Sequence, residues 1–163
     1  MNFSGGKGPR TWVHETGSND YPLLKTDVVM GESQFSPDGK WLAYSTDETG
    51  QYEVYVAPFP GISSQYQVSL QSGTQPRWSR DGKRLYFIAG DKRLMVVDVS
   101  VNGDALKLGP LRALFQTRMI KVFEAYTQYD VSPNAQRFLI NTRSDADQQP
   151  IDVFANWAEE LKH

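Results

Sequence analysis

Phe35-Ser36-Pro37-Asp38-Gly39-Lys40-Trp41-Leu42 is the stretch that decides the fold. It returns, loosened, as Trp78-Ser79-Arg80-Asp81-Gly82-Lys83-Arg84-Leu85, and again as Val131-Ser132-Pro133-Asn134-Ala135-Gln136-Arg137-Phe138. Three copies in one short chain mark a repeat architecture. In each copy an apolar residue ends one strand, a tight turn follows, and a second strand starts two or three residues later. Pro37 pre-sets the backbone for the first central turn position, Asp38 suits the next, and Gly39 accepts the left-handed conformation that closes a type I turn with a bulge. Ser36 is placed to bond back to the turn backbone. The second copy keeps Asp81 and Gly82, whereas the third has Asn134 and then Ala135 where glycine is wanted. A side chain in that conformation costs about 1 kcal/mol or more, so Ala135→Gly is expected to stabilise the fold.

The motif serines are 43 residues apart from Ser36 to Ser79 and 53 apart from Ser79 to Ser132. The first spacing matches the roughly 40–45 residues of a four-stranded propeller blade. The second predicts an enlarged loop near Val101–Gly109 or Thr117–Ala125. Strands are expected at 11–14, 21–26, 32–35, 41–46, 52–59, 65–70, 75–78, 84–89, 94–101, 111–117, 127–131, 137–142 and 151–154. A polar loop is expected at 144–150 and a short helix over 156–163. Alternation along 52–57 and the apolar run 94–97 fit strands buried between neighbouring blades. These give 1–10 as a flexible leader and 11–163 as one partial propeller. Within it, 11–30 supply outer strands of a split blade, 31–72 and 73–125 are blades, and 126–163 hold the inner strands of a last blade. The fold class is therefore all-β, with antiparallel four-stranded blades and about three blade equivalents per chain. Closed propellers typically have about 4–8 blades, which predicts a half-propeller completed to six blades by a homodimer. A fragment of a longer propeller without independent function is the alternative.

The chain has 163 residues, 39% hydrophobic and 12% aromatic, with 13 Gly and 9 Pro, a profile that favours turns and strands. A net charge of −2 gives no general attraction to nucleic acid or an anionic membrane, and no run is apolar and long enough for a span. Without cysteine there is no disulfide, thiolate metal site or thiol nucleophile. Residues 1–10 lack the apolar core of a signal peptide, which predicts a cytoplasmic chain as encoded, or a periplasmic or extracytoplasmic one if it is part of something longer.

The stretch Phe35–Tyr44 resembles the TolB-type, or WD40-like, β-propeller repeat, and the match runs over Tyr21–Leu161. Glu53–Gly61, Gly73–Trp78, Leu114–Thr117, Tyr129–Pro133 and Asn156-Trp157 are similar to the C-terminal propeller of bacterial serine/threonine kinases and related sensors. No kinase, peptidase or anchor segment lies within these residues, so the resemblance implies a binding or scaffold module.

No catalytic signature stands out. Ser36, Ser79 and Ser132 occupy one turn position, outside any Gly-x-Ser-x-Gly elbow. His14, beside Glu15, lacks the partners of a triad or metal set, and His163 is terminal. Gly5-Gly6-Lys7-Gly8 lacks the spacing and flanking elements of a phosphate loop. Asp47-Glu48 and Asp145-x-Asp147 read as solvated turns, without the ligand series of a Ca²⁺ loop, and no cofactor is implied. Phe59, Tyr66 and Phe123 are candidate partner anchors, and Arg77, Arg80, Lys83 and Arg84 form a local basic cluster. The interaction candidates are Gln34, Gln75, Arg77, Gln128 and Asp130, polar residues on or before innermost strands and so expected at the central channel. The expected function is a non-catalytic module binding protein or small ligand, with a second copy as first partner. The rival is a small hydrolase or lyase that uses His14 in a site assembled by oligomerisation.

Overall fold

The computed structural model describes residues 11–23, 30–62, 64–119 and 127–142, and the backbone of 153–155. The expected leader, the loop at 144–150 and the helix at 156–163 lie outside these residues. Every regular element among the described residues is a strand, and no helix there is long and apolar enough to cross a membrane.

A short hairpin comes first, β1 (Trp12–Val13) against β2 (Tyr21–Pro22). The first blade is a four-stranded antiparallel meander of β3 (Met30–Phe35), β4 (Trp41–Thr46), β5 (Glu53–Pro58) and β6 (Tyr66–Gln67). The second has β7 (Gly73–Trp78), β8 (Arg84–Ala89) and β9 (Arg93–Asn102), the last lengthened to ten residues. Its first half pairs with β11 (Arg112–Gln116), and its second half with β10 (Ala105–Leu108). At the first place expected for the enlarged loop, Val101–Gly109, the chain forms a hairpin turning at Gly103 (φ 61°); the second, Thr117–Ala125, lies mostly outside the described residues. The third sheet is β12 (Tyr129–Val131), β13 (Arg137–Ile140) and β14 (Val153–Ala155).

The repeated turns are built alike. The N–H of Gly39, Gly82 and Ala135 donates to the carbonyl of Ser36, Ser79 and Ser132 at 2.9, 3.0 and 2.8 Å. Each serine hydroxyl accepts the N–H that opens the next strand: Trp41 at 3.0 Å, Arg84 at 2.9 Å and Arg137 at 2.9 Å. It also donates to Asp38, Asp81 or Asn134. That second residue in turn accepts the N–H of Lys40, Lys83 or Gln136. Gly39 and Gly82 stand at φ 70° and 69°, and Ala135 is forced to φ 56°. The serines are thus turn residues in all three repeats, each bonded back to the strand that follows.

Strand alternation then sorts the core into seams between blades. Trp41, Ala43, Val54 and Val56 of the first blade meet Trp78, Leu85, Phe87 and Val97 of the second. Tyr86, Ile88, Leu94 and Val96 leave the opposite face of the second blade and meet Tyr129, Phe138 and Ile140 of the third. Phe138 receives the edges of Tyr86 and Phe115, with centroids 5.3 and 5.6 Å away. Leu42, Tyr44, Tyr55 and Ala57 form a further cluster on the first blade, against which Leu23, just after β2, packs. Burying each large apolar side chain contributes about 1.5–3 kcal/mol, so the seams, not the individual sheets, carry the hydrophobic stabilisation.

Candidate functional site

The innermost strands β3, β7 and β12 carry the interaction candidates, and the structure gives most of them work between blades. Gln34 Oε1 accepts the N–H of Trp78 at 2.7 Å, and the Gln34 carbonyl accepts the Trp78 indole N–H at 3.3 Å. One seam on, Gln75 Oε1 accepts the N–H of Gln128 at 2.8 Å, while the Tyr129 hydroxyl donates to the Gln75 carbonyl at 2.8 Å. Gln75 and Gln128 are buried. The Arg77 guanidinium donates to the Thr127 hydroxyl and to the Pro76 carbonyl, 3.1 Å away. Gln34, Gln75 and Arg77 are therefore polar clips from one blade to the next. Asp130 differs: it is exposed, and Oδ1 accepts only the N–H of its neighbour Val131, at 2.8 Å, among the bonds described for it.

The clips depend on bulges. In β3 the register shifts between Met30 and Ser33, and in β7 between Thr74 and Arg77. Gln75 sits in the second bulge with φ 56°, a conformation that costs about 1–2 kcal/mol for a non-glycine residue. Its amide and carbonyl, both bonded across the seam, hold it there. Burial pushes the Tyr129 hydroxyl well above its ordinary pKa of 10.0, against the opposing pull of Arg77, so it stays a neutral donor to Gln75.

Glu53, which sequence reading passed over, is buried in β5 and accepts from the Ser69 hydroxyl, the Ser72 N–H at 2.9 Å and the Gln51 amide at 2.7 Å. The bonds from Ser69 and Ser72 pin the crossing from the first blade to the second, and the one from Gln51 ties in the turn before β5.

His14 stands exposed on the β1–β2 hairpin, its Nδ1 2.5 Å from Asp20 Oδ1. Glu15 does not pair with it. Its carboxylate accepts the Tyr21 hydroxyl at 2.9 Å, and that bond raises the Tyr21 pKa. Among the described residues, no three or more His, Asp or Glu side chains are grouped to hold a metal ion. Of the proposed anchors, Tyr66 packs edge-on to Trp41 in the core, Phe59 packs edge-on to Phe35, and Phe123 lies outside the described residues. The basic cluster is split: Arg77 reaches the next blade, Arg84 Nη1 meets the Tyr86 hydroxyl at 3.4 Å, and Arg80 and Lys83 are exposed.

Among the described residues, three cavities open at the seams. One of about 400 Å³ lies between the first two repeated turns, walled by Trp41, Trp78 and Val101 with Asp38, Asp81 and Lys83 at its edge. One of about 270 Å³ separates the hairpin from the first blade, between Trp12 and His14 on one side and Phe35, Leu42 and Phe59 on the other. A third, about 400 Å³, lies at the other end of β8, beside exposed Leu70. The exposed apolar residues Trp12, Phe35 and Leu139 also escaped the sequence reading, although the repeat spacing marks the last two as positions buried elsewhere.

No protein-family model matches the chain, and no curated protein matches it. Among solved structures it is similar to the β-propeller domain of Cps50 (Swd1) from Myceliophteria thermophila, at 12% identity and TM-score 0.58, over 91% of this chain and 50% of that one. A putative 6-phosphogluconolactonase from Bacteroides uniformis is similar at 18% identity and TM-score 0.50, over 88% and 43% of the two chains. TolB from Acinetobacter baumannii follows at 15% identity and TM-score 0.46, over 86% and 44%. The chain spans half or less of the length of these solved propellers. The likeness concerns the fold alone: with its antiparallel sheets, the chain has a β-propeller-type fold.

Proposed function

We propose that this propeller chain is a non-catalytic, protein-binding scaffold that two copies assemble into one six-bladed ring. The observation that carries the reading is the use of polar side chains on the inner strands. Gln34, Gln75 and Arg77 spend their donors and acceptors on the neighbouring blade, which is what a rigid platform requires. Outer surfaces and seam cavities are then left for recognition. An arc of about three blades is half of a six-bladed ring, the part that a second copy would complete.

Absolute mass in solution tests the assembly, by light scattering on a size-exclusion column at several concentrations. A monodisperse dimer that survives dilution is expected. A monomer at every concentration, or a concentration-dependent smear, overturns the ring. For the non-catalytic part, the chain is expected to turn over no ester or lactone. Turnover that vanishes in His14→Ala would overturn it in favour of a hydrolase.

A further inference from the structure

We infer that the cavity between the β1–β2 hairpin and the first blade binds a small organic cation, a quaternary ammonium ion, through the rings of Trp12, Phe35 and Phe59 and the carboxylate of Glu15. The inference goes beyond the scaffold reading and does not depend on the ring, since every residue named lies in one copy.

The cavity holds about 270 Å³, near the small end of ligand pockets, which is room for a small molecule and not for a strand. Its walls are aromatic on both sides. Trp12 comes from β1, Phe35 from the end of β3 and Phe59 from just after β5. The rings of Phe35 and Phe59 lie 4.8 Å apart at 70°, so they make a corner and not a stack. Trp12 is 57% exposed and Phe35 48%, whereas Trp78, which stands one repeat on from Phe35, is 7% exposed. A ligand that covers both walls removes this apolar surface from water, which favours binding.

Charge narrows the class of ligand. The described hairpin, residues 11–23, carries Glu15 and Asp20 and neither lysine nor arginine. The first-blade wall of the cavity has no charged side chain. Asp20 Oδ1 lies 2.5 Å from His14 Nδ1. Glu15, which lines the cavity, accepts the neutral hydroxyls of Tyr21 at 2.9 Å and Ser18 at 3.4 Å. The hairpin side is therefore negative in either protonation state of His14. An organic anion would be repelled by Glu15, and a metal ion would find no ligand set among the described residues. A neutral apolar molecule would use the rings and not the carboxylate. A quaternary ammonium ion uses both, because its methyl groups spread positive charge over an apolar surface that aromatic rings attract.

Choline is the probe, and 3,3-dimethylbutan-1-ol, with carbon in place of the charged nitrogen, is its neutral twin. In isotope-labelled protein the indole N–H signal of Trp12, assigned by its loss in Trp12→Phe, is expected to shift saturably with choline at about millimolar concentration. The neutral twin is expected to bind about tenfold more weakly. Trp12→Ala replaces an exposed residue and is expected to keep the parent's strand spectrum by circular dichroism. Its choline affinity, read from saturation transfer to the choline methyl protons, is expected to fall about fivefold, while Trp12→Phe keeps most of it. Glu15→Gln can still accept the Tyr21 hydroxyl; it is expected to weaken choline and leave the neutral twin unchanged. No saturable shift at Trp12, equal affinity for choline and its twin, or a Glu15→Gln loss that extends to the twin overturns the assignment. A parent that is monomeric at every concentration and still binds choline overturns the ring and leaves this site standing.

Discussion

The first two blades and the third share a turn and a strand register yet differ wherever a neighbour is concerned. In the first two, the left-handed turn position is glycine and the acceptor before it an aspartate; the third has Ala135 and Asn134. In the first two, the residue facing the next blade is buried and the inner-strand polar side chain is bonded across a seam; in the third, Leu139 and Asp130 are exposed. The repeat thus sets the local path of the chain, and the presence of a following blade sets what each side chain does.

The largest effect should separate the two faces of β13. Phe138→Ala removes a ring held between Tyr86 and Phe115 and is expected to cost about 3–5 kcal/mol. Leu139→Ala, one residue on, is expected to change the stability of a dissociated chain by under about 0.5 kcal/mol. Urea unfolding at low protein concentration measures both, and equal losses would break the comparison.

Next come the clips. Gln75→Leu removes the acceptor of the buried Gln128 N–H and leaves the Tyr129 hydroxyl, on the Gln75 carbonyl, to hold the left-handed backbone across the seam, at about 1–3 kcal/mol. Asp130→Ala faces water and is expected to stay within about 0.5 kcal/mol in a single chain. Thermal unfolding of the two variants, side by side, checks the order.

Smaller effects belong to the turns. Gly39→Ala meets no neighbouring atom within 4 Å but must hold φ 70°, a cost of about 1–2 kcal/mol. The reverse change, Ala135→Gly, relieves the same strain. However, the Ala135 methyl is buried in the seam with Tyr129 and Phe138. Losing it forfeits about 0.8 kcal/mol, and the added freedom of glycine in the unfolded chain a further 0.4–1 kcal/mol, roughly. The structure therefore replaces the expected stabilisation with a change near zero. A gain as large as the loss in Gly39→Ala would show that the methyl contributes nothing.

The smallest effect is in acid. Asp38 and Asp81 are held below their ordinary pKa of 3.8, first by the Ser36 and Ser79 hydroxyls and then by the N–H of Lys40 and Lys83. A depressed carboxyl stabilises the fold above its unfolded pKa, and that contribution is lost as pH falls through the folded value. Asn134 has no such proton to gain. Asp38→Asn with Asp81→Asn should lower the melting temperature slightly at pH 7 and flatten its decline below about pH 4, so that parent and variant converge in acid. A parallel decline in parent and variant would show that these turns do not sense acid.

Much of the fold is legible in the order of residues alone. β4 and β8 fall where alternation and turn residues place them, because Ser-Pro-Asp-Gly and Ser-Arg-Asp-Gly leave the backbone few ways to turn. The β9–β10 hairpin is not legible in this way. Its turn, around Gly103, resembles any polar loop, and β10 exists only because β9 overruns its blade and offers a free edge. Strand location tells that Gln34, Gln75, Arg77, Gln128 and Asp130 lie on or beside inner strands, but not where they point. Two bulges rotate β3 and β7 out of plain alternation, and a bulge depends on pairing with a partner strand.

Residue order specifies the unit: a strand, a serine-anchored turn, a second strand, and the spacing that repeats them. Those follow from contacts within a few residues, which composition and order specify. Packing between blades sets which side chains become clips, which face of each blade is covered, and that the third blade leaves Leu139 and Asp130 exposed. Those depend on surfaces brought together from residues roughly one repeat apart, where burial and hydrogen-bond geometry, not local preference, choose the outcome.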